Sequence, residues 1–465
     1  MLIYEGAKWR RTRGGRVMAA VSSGAAARIL SALASLISIP LAVRYLGAER
    51  FGVWATITST FVLLNLLDFG IAGTLTNHIA RAYALGDRES SARFATNALA
   101  LTAAVACGSG LVLALLWPRI HWNSLFGVAA LVQRSEVSAA ASIAATLMLV
   151  GLPASLAGRI LAGYQQVHLN NLIIGFGTVA NLAGLLIGVW LRVSMPWLLL
   201  MSAGCLTLCN LGTLVALWWF RPWLRPRRTQ LAWSAAGELL GSGSGFLLIQ
   251  IAGAVVFSCD NVVVGHYLGA AQVTPYSVTW RLVGLAAVLQ SLVFSALWPA
   301  YAEAHARGDR AWIRQTFRLV MRGTLVFNLT GAGALILFGR SVIRWWAGEA
   351  AVPSMALLGL MALWTVISGC MTAESCLLAA VGRTHLQGGL SVVAAAVNLA
   401  LSIGLVQRIG AAGVITGTIL SYLLVLVVPQ SVLVRNVLRG EVLKDSPSAD
   451  KTDRNQGEMQ AAHAG

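Results

Sequence analysis

The chain almost lacks lysine. Only Lys8, Lys444 and Lys451 occur in 465 residues, and none of them follows a glycine. A phosphate-cradling Gly-Lys-[Ser/Thr] loop is therefore absent, which excludes ATP hydrolysis through such a site. Charge of either sign is scarce. Asp, Glu, Lys and Arg make up 11% of the residues, against about 25% in soluble domains. The chain cannot clothe a water-facing surface. Cysteine is sparse, and Cys107, Cys205, Cys209, Cys259, Cys370 and Cys376 form no Cys-x-x-Cys pair and lie in or beside apolar runs. They read as small packing residues and not as disulfides or metal ligands. There is no His-Glu-x-x-His motif, the seven histidines are scattered, and no nucleophile–base constellation can be assembled. Neither an enzyme nor a bound cofactor is expected. The connections between apolar runs are short, which leaves no room for an inserted soluble domain.

What the chain does have is apolar length. Hydrophobic residues make up 57% and mean hydropathy is +0.73. Runs of about 20 residues, the length a helix needs to cross ~30 Å of hydrocarbon, recur throughout. Twelve spans are expected, at about 21–46, 51–76, 92–116, 137–158, 168–191, 196–219, 240–268, 276–300, 316–338, 354–380, 386–407 and 411–434. The basic stretch Lys8 to Arg16 precedes a full-length span, so a retained first helix is expected in place of a cleaved signal peptide. Residues 1–20 then form a basic arm, and the polar residues 441–465 a disordered tail.

The net charge of +17 does not point to nucleic acid, because the basic residues sit in short loops between spans. One set of span ends carries 24 of the 34 Arg and Lys residues and the opposite set eight. That asymmetry places both termini in the cytoplasm. Tryptophans at span ends, including Trp117, Trp122 and Trp346, read as interfacial anchors. Gly184/Gly188 and Gly413/Gly417 read as close helix contacts.

One stretch occurs twice. Tyr45-Leu46-Gly47-Ala48 through Gly86-Asp87-Arg88 aligns without gaps to Tyr267-Leu268-Gly269-Ala270 through Gly308-Asp309-Arg310. The offset is 222 residues and thirteen of 44 positions are identical. Leu161, His168 and Asn181 recur at Leu378, His385 and Asn398, offset by 217. The chain is therefore an internal duplication. The expected architecture is all-α: an N-lobe at 21–220, a basic linker at 221–239 and a C-lobe at 240–440. The two six-helix lobes share one orientation and enclose a central cavity.

Charges inside spans are costly and mark function. There are five: Arg28, Asp68, Asp260, Arg281 and Glu374. Counting from the expected turns, Arg28 matches Asp68 in depth. Asp260 and Arg281 lie roughly 9–12 Å from the opposite face at 1.5 Å per residue. Two Arg–Asp pairs near opposite faces are expected, either lining a cavity or holding helix hairpins together. Arg310, Arg314, Arg318 and Arg322 share one helical face. They read as a cytoplasmic anchor, with attraction of anionic lipid as the alternative.

The segment from Arg44-Tyr45-Leu46-Gly47-Ala48-Glu49-Arg50-Phe51-Gly52-Val53-Trp54 to Leu66-Leu67-Asp68-Phe69-Gly70-Ile71 and Gly86-Asp87 resembles the start of Wzx-type polysaccharide flippases, within the superfamily of multidrug and oligosaccharidyl-lipid exporters. The resemblance implies translocation of an undecaprenyl-pyrophosphate-linked oligosaccharide across the bacterial inner membrane by alternating access. On that reading Arg28 or Arg281 would meet the pyrophosphate. Asp260, Glu374 and Asp68 would be candidate proton carriers, and a polysaccharide polymerase and chain-length machinery would be partners. The alternatives are a cation-coupled exporter on the same fold and, more remotely, a membrane glycosyltransferase or polymerase.

Overall fold

The computed structural model describes residues 13–127, 133–382 and 384–439, apart from the side chains of 13–18, 64–65, 242–257, 296 and 384–387. The remainder of the basic arm and the tail 441–465 lie outside the described residues. The protein is a multi-pass, all-helical membrane protein. In chain order the helices are α1 Arg13–Val62, α2 Ile71–Leu85, α3 Arg88–Leu116, the short α4 Trp122–Leu125, α5 Arg134–Gly163, α6 Val167–Trp190 and α7 Met195–Phe220. They continue with α8 Trp233–Leu268, α9 Ala270–Ala306, α10 Arg310–Ala347, α11 Met355–Ala380, α12 Thr384–Ile409, α13 Ala411–Ser421 and α14 Val428–Arg439. A π-helical turn, Tyr422–Val427, joins the last two into one rod. Ten stretches are long and apolar enough to cross a bilayer. The first, Ala19–Asp68, bends at Gly47 into two crossings, and α8 is apolar by sequence. Together these account for twelve crossings.

The landmarks of the duplication are backbone devices. Gly47 (φ 77°, ψ 171°) and Gly269 (φ 90°, ψ 156°) occupy a region only glycine enters readily, and each turns the chain between two spans. At the opposite end Gly86 and Gly308 close helices with positive φ. Asp87 and Asp309 then open the next helices by accepting from the amides of Ser90 (2.9 Å) and Trp312 (3.0 Å). The repeated Leu-Gly-Ala and Gly-Asp-Arg are thus a tight turn and a C-cap/N-cap pair. Because these caps end the helices, α2, α3, α9 and α10 run past the apolar cores of the expected spans.

Two differences from the expected spans have physical causes. The second span is not one helix. It passes through a 3₁₀ turn, Leu63–Asp68, and breaks at Phe69 and Gly70, both with positive φ. α8 begins at Trp233, seven residues before the expected span. Its first turns bury Ala235 and Leu239 against α2 and α3 side chains such as Ile71, Leu75 and Phe94. The glycine pairs act as read. A Cβ on Gly184 would overlap the Met201 carbonyl on α7, and one on Gly413 the Leu405 carbonyl on α12. Equivalent helix pairs in the two halves are therefore packed backbone to backbone.

Gly47→Ala is expected to destabilise the protein by about 1–3 kcal/mol, the cost of forcing a side chain into that backbone region. Gly108→Ala, inside α3 with open space around it, should be neutral or slightly stabilising. Thermal denaturation in detergent distinguishes them, and equal melting temperatures would remove the special role of the Gly47 turn.

Candidate substrate cavity

The two halves meet most closely at the end marked by Gly47 and Gly269. A Cβ on Gly52 would overlap the Ala270 carbonyl, and one on Gly127 the Gly265 carbonyl. The Ala270 amide donates to the Gly127 carbonyl at 2.9 Å, and Thr274 Oγ1 to the Ala48 carbonyl at 2.5 Å. Asn261 Nδ2 reaches Ser59 Oγ at 2.8 Å. Arg44 donates to the carbonyls of Trp345 (2.7 Å) and Trp346 (3.2 Å), and Trp346 Nε1 to that of Leu36 (2.7 Å).

The connection between α3 and α5 completes this closure. Trp122 and Phe126 are buried and stacked at 5.6 Å, with Trp117 at 4.4 Å from Trp122. Trp122 and Trp346 are therefore core and closure residues, contrary to the reading as interfacial anchors. Trp219 and Trp345, which the same reading covered, are exposed. Nothing in the residue pattern separates the two kinds, because both sit at span ends.

Away from that end the halves part. A cavity of about 720 Å³ lies between α1, α6 and α9. Sequence creates the space: Ala20, Gly24, Ala27, Ser31 and Ser35, spaced three to four apart on α1, present only small side chains to it. Arg28 and Arg281 both line this cavity. Arg28 reaches across the halves, with Nη1 donating to the Ser291 carbonyl (3.2 Å) and Oγ (3.1 Å). Arg281 makes no hydrogen bond or ion pair among the described residues. No carboxylate lies among the lining residues either.

Among the described residues the expected Arg–Asp pairs do not form. α9 starts at Ala270 and carries Pro275 within its first turns, so the turn is one glycine and not a seven-residue loop. Arg281 therefore lies eleven residues, about 16 Å, from the turn, near mid-membrane and deeper than the sequence count gave. Asp260 faces elsewhere: it is buried and accepts from the Tyr276 hydroxyl at 2.5 Å. Asp68 Oδ1 accepts from the Gly70 amide at 2.7 Å, fixing the helix break. Glu374 Oε1 accepts from Ser431 Oγ at 3.0 Å, while Oε2 is sealed off without a hydrogen-bond partner. Of the five candidates, the structure brings together the two arginines and disperses the three carboxylates. Arg314 Nη2 caps α14 through the Leu438 carbonyl at 2.8 Å.

A duplicated helical bundle, closed at one end and holding a cavity lined by two arginines between its halves, has the fold of the large exporter superfamily that includes drug and lipid transporters. An inward-facing multidrug resistance MATE family transporter of the MOP superfamily superposes with a TM-score of 0.72 at 15% identity, over 91% of this chain and 100% of that one. The lipid II flippase MurJ, in an inward closed conformation, superposes with a TM-score of 0.65 at 15% identity, over 86% of this chain and 85% of that one. Residues 17–305 match the polysaccharide biosynthesis protein family, and the chain belongs to it. A putative O-antigen transporter of Salmonella typhi is 23% identical over 332 residues, 71% of this chain and 75% of that protein. A putative O-antigen export protein of Yersinia pseudotuberculosis is 21% identical over 364 residues, 72% of this chain and 82% of that protein.

A guanidinium in a membrane cavity, without a hydrogen bond or ion pair among the described residues, costs stability. Arg281→Gln should therefore raise the thermal stability of the empty protein, by about 0.5–2 kcal/mol, as stabilising changes at functional positions do. A destabilised Arg281→Gln protein would make Arg281 a structural residue.

Proposed function

We propose that this protein flips a lipid-linked oligosaccharide, carried on undecaprenyl pyrophosphate, from the inner to the outer leaflet of a bacterial inner membrane. The supporting observation is the pair Arg28 and Arg281 in one cavity without a lining carboxylate. A glycan cannot cross hydrocarbon unaided. A pyrophosphate entering the cavity would neutralise Arg281 and compete with Ser291 for Arg28, forming the charge-assisted bonds that guanidinium makes to phosphate oxygens. The polyprenyl tail would remain in lipid beside α1 and α9.

Positive-inside asymmetry supports a structure open toward the cytoplasm, with both termini there and the Gly47 end outside. Transport then follows by exchanging the closed end for an open one. Because Arg28 bridges α1 to α9, binding of phosphate there would release a contact between the halves and so favour their rearrangement. With no ATP site, an ion gradient or downstream use of the glycan by a polymerase would supply direction. The dispersed carboxylates Asp260, Glu374 and Asp68 stand outside the arginine cavity, so a proton taken up by any of them would act on helix packing.

Reconstituted protein should move fluorescent lipid-pyrophosphate oligosaccharide between leaflets and leave ethidium untransported. Ethidium transport alone would move the protein to the drug exporters. A double Ala48→Cys, Thr274→Cys variant should lose translocation on oxidation and recover it on reduction. Unchanged activity in the oxidised protein, with the cross-link verified by mass, would refute an opening at that end.

A further inference from the structure

A second cavity, of about 370 Å³, lies within the second half of the molecule, among α9, α10, α11, α12 and the π-helical turn. It shares Trp280 and Gly284 with the arginine cavity. These residues flank Arg281 on α9. A Cβ on Gly284 would meet nothing within 4 Å, so the partition between the two spaces is low there.

The lining has a definite chemistry. Among the described residues it holds no charged side chain. Three aromatic rings border it in sequence: Trp280 lies parallel to Trp364, centroids 6.3 Å apart, and Trp364 stands edge-on to Tyr422 at 4.7 Å. Its polar groups are held in place by bonds that use most of their hydrogens, Gln290 and Asn328 each donating with one of two amide hydrogens among the described residues. Gln290 Nε2 donates to Asn328 Oδ1 at 2.7 Å. Gln430 Nε2 donates to the Met371 carbonyl (2.9 Å) and Ser375 Oγ (3.1 Å). Ser368 and Thr372 hydroxyls donate to carbonyls on their own helix. The amide oxygens of Gln290 and Gln430 and the hydroxyl lone pairs of Ser368 and Thr372 remain as acceptors. A space with surplus neutral acceptors and flat apolar faces suits a ligand rich in neutral donors that also has an apolar face. A sugar ring is such a ligand: its hydroxyls donate and its C–H face lies on indole.

We infer that this second cavity receives a sugar residue of the lipid-linked glycan, reached past Gly284 while the pyrophosphate is held at Arg281. The inference rests on the flippase reading and adds to it the part of the molecule that reads the glycan. The arginine cavity would then bind what all such lipids share, and the aromatic cavity would discriminate among them. An unpaired acceptor left facing a missing hydroxyl is penalised, which gives the cavity the means to reject a bare lipid pyrophosphate.

The test is equilibrium binding to the full-length protein in nanodiscs. The probes are undecaprenyl pyrophosphate and undecaprenyl-pyrophosphate monosaccharides carrying a hexose, an N-acetylhexosamine or a 6-deoxyhexose, each with and without sodium ions. At least one glycosylated lipid should bind about tenfold more tightly than the bare lipid, the weight of a net hydrogen bond. Ser368→Ala and Thr372→Val, whose hydroxyls line only the second cavity, should each lose that preference and keep bare-lipid affinity. Gln290→Leu should do the same where it folds. Arg281→Gln should weaken bare and glycosylated lipids alike. A sugar preference that survives Ser368→Ala and Thr372→Val overturns the inference, as does the absence of any preference in the wild type. Loss of sodium dependence in those variants with sugar preference intact assigns the cavity to a cation and also overturns it. Wild-type protein that binds none of the lipids refutes the flippase reading itself, an outcome distinct from binding all of them equally.

Discussion

Backbone contact without intervening side chains holds the two halves together at one end. Gly52 against Ala270 and Gly127 against Gly265 bring main chains within reach of a direct amide–carbonyl bond. Much else follows from this contact. It fixes how far the inner faces of α1 and α9 stand apart elsewhere, and the small residues on α1 turn that separation into a cavity. Such a contact is also suited to being made and broken. Its net strength is modest, because water replaces each hydrogen bond when the surfaces part. A buried ion pair in the same place would leave stranded charges on opening.

Much of the architecture could be read from residues. Apolar length gave the twelve crossings, and the two copies of Leu-Gly-Ala and Gly-Asp-Arg gave the duplication because each encodes a backbone event that tolerates little substitution. The glycine pairs at Gly184 and Gly413 were legible for the same reason. The cavity arginines were legible because charge in hydrocarbon has few explanations. Their partners were not. Depth counted along the chain depends on where turns fall, and Pro275 looks like a loop residue although it lies inside α9. A one-dimensional count also cannot give the direction a side chain points, which is how Asp260 came to be matched with Arg281 although it is bonded to Tyr276. The burial of Trp122 was hidden in the same way, since interfacial and infolded tryptophans share one position in the sequence.

The division of labour among charged groups is set by geometry more than by type. Asp68 serves the backbone, Asp260 a phenol and Glu374 a serine, each within its own half. The arginines face shared space. The three carboxylates each accept a bond from their own half of the chain, whereas Arg28 and Arg281 line the cavity between the halves. Among the five intramembrane candidates, the cavity-lining pair is entirely cationic.

α8 belongs to both halves. Its first turns are buried with the side chains of α2 and α3, and its last residues reach Gly127 and Ser59. Between these anchorages the sequence runs Gly241-Ser242-Gly243-Ser244-Gly245. Three glycines weaken a helix by about 3 kcal/mol relative to alanine, which lowers the intrinsic helix preference of this section of a long rod anchored at both ends. Mechanically it is a leaf spring. Displacing one half relative to the other would load it, and its stiffness, set by three hydrogen-for-methyl choices, would set the restoring force.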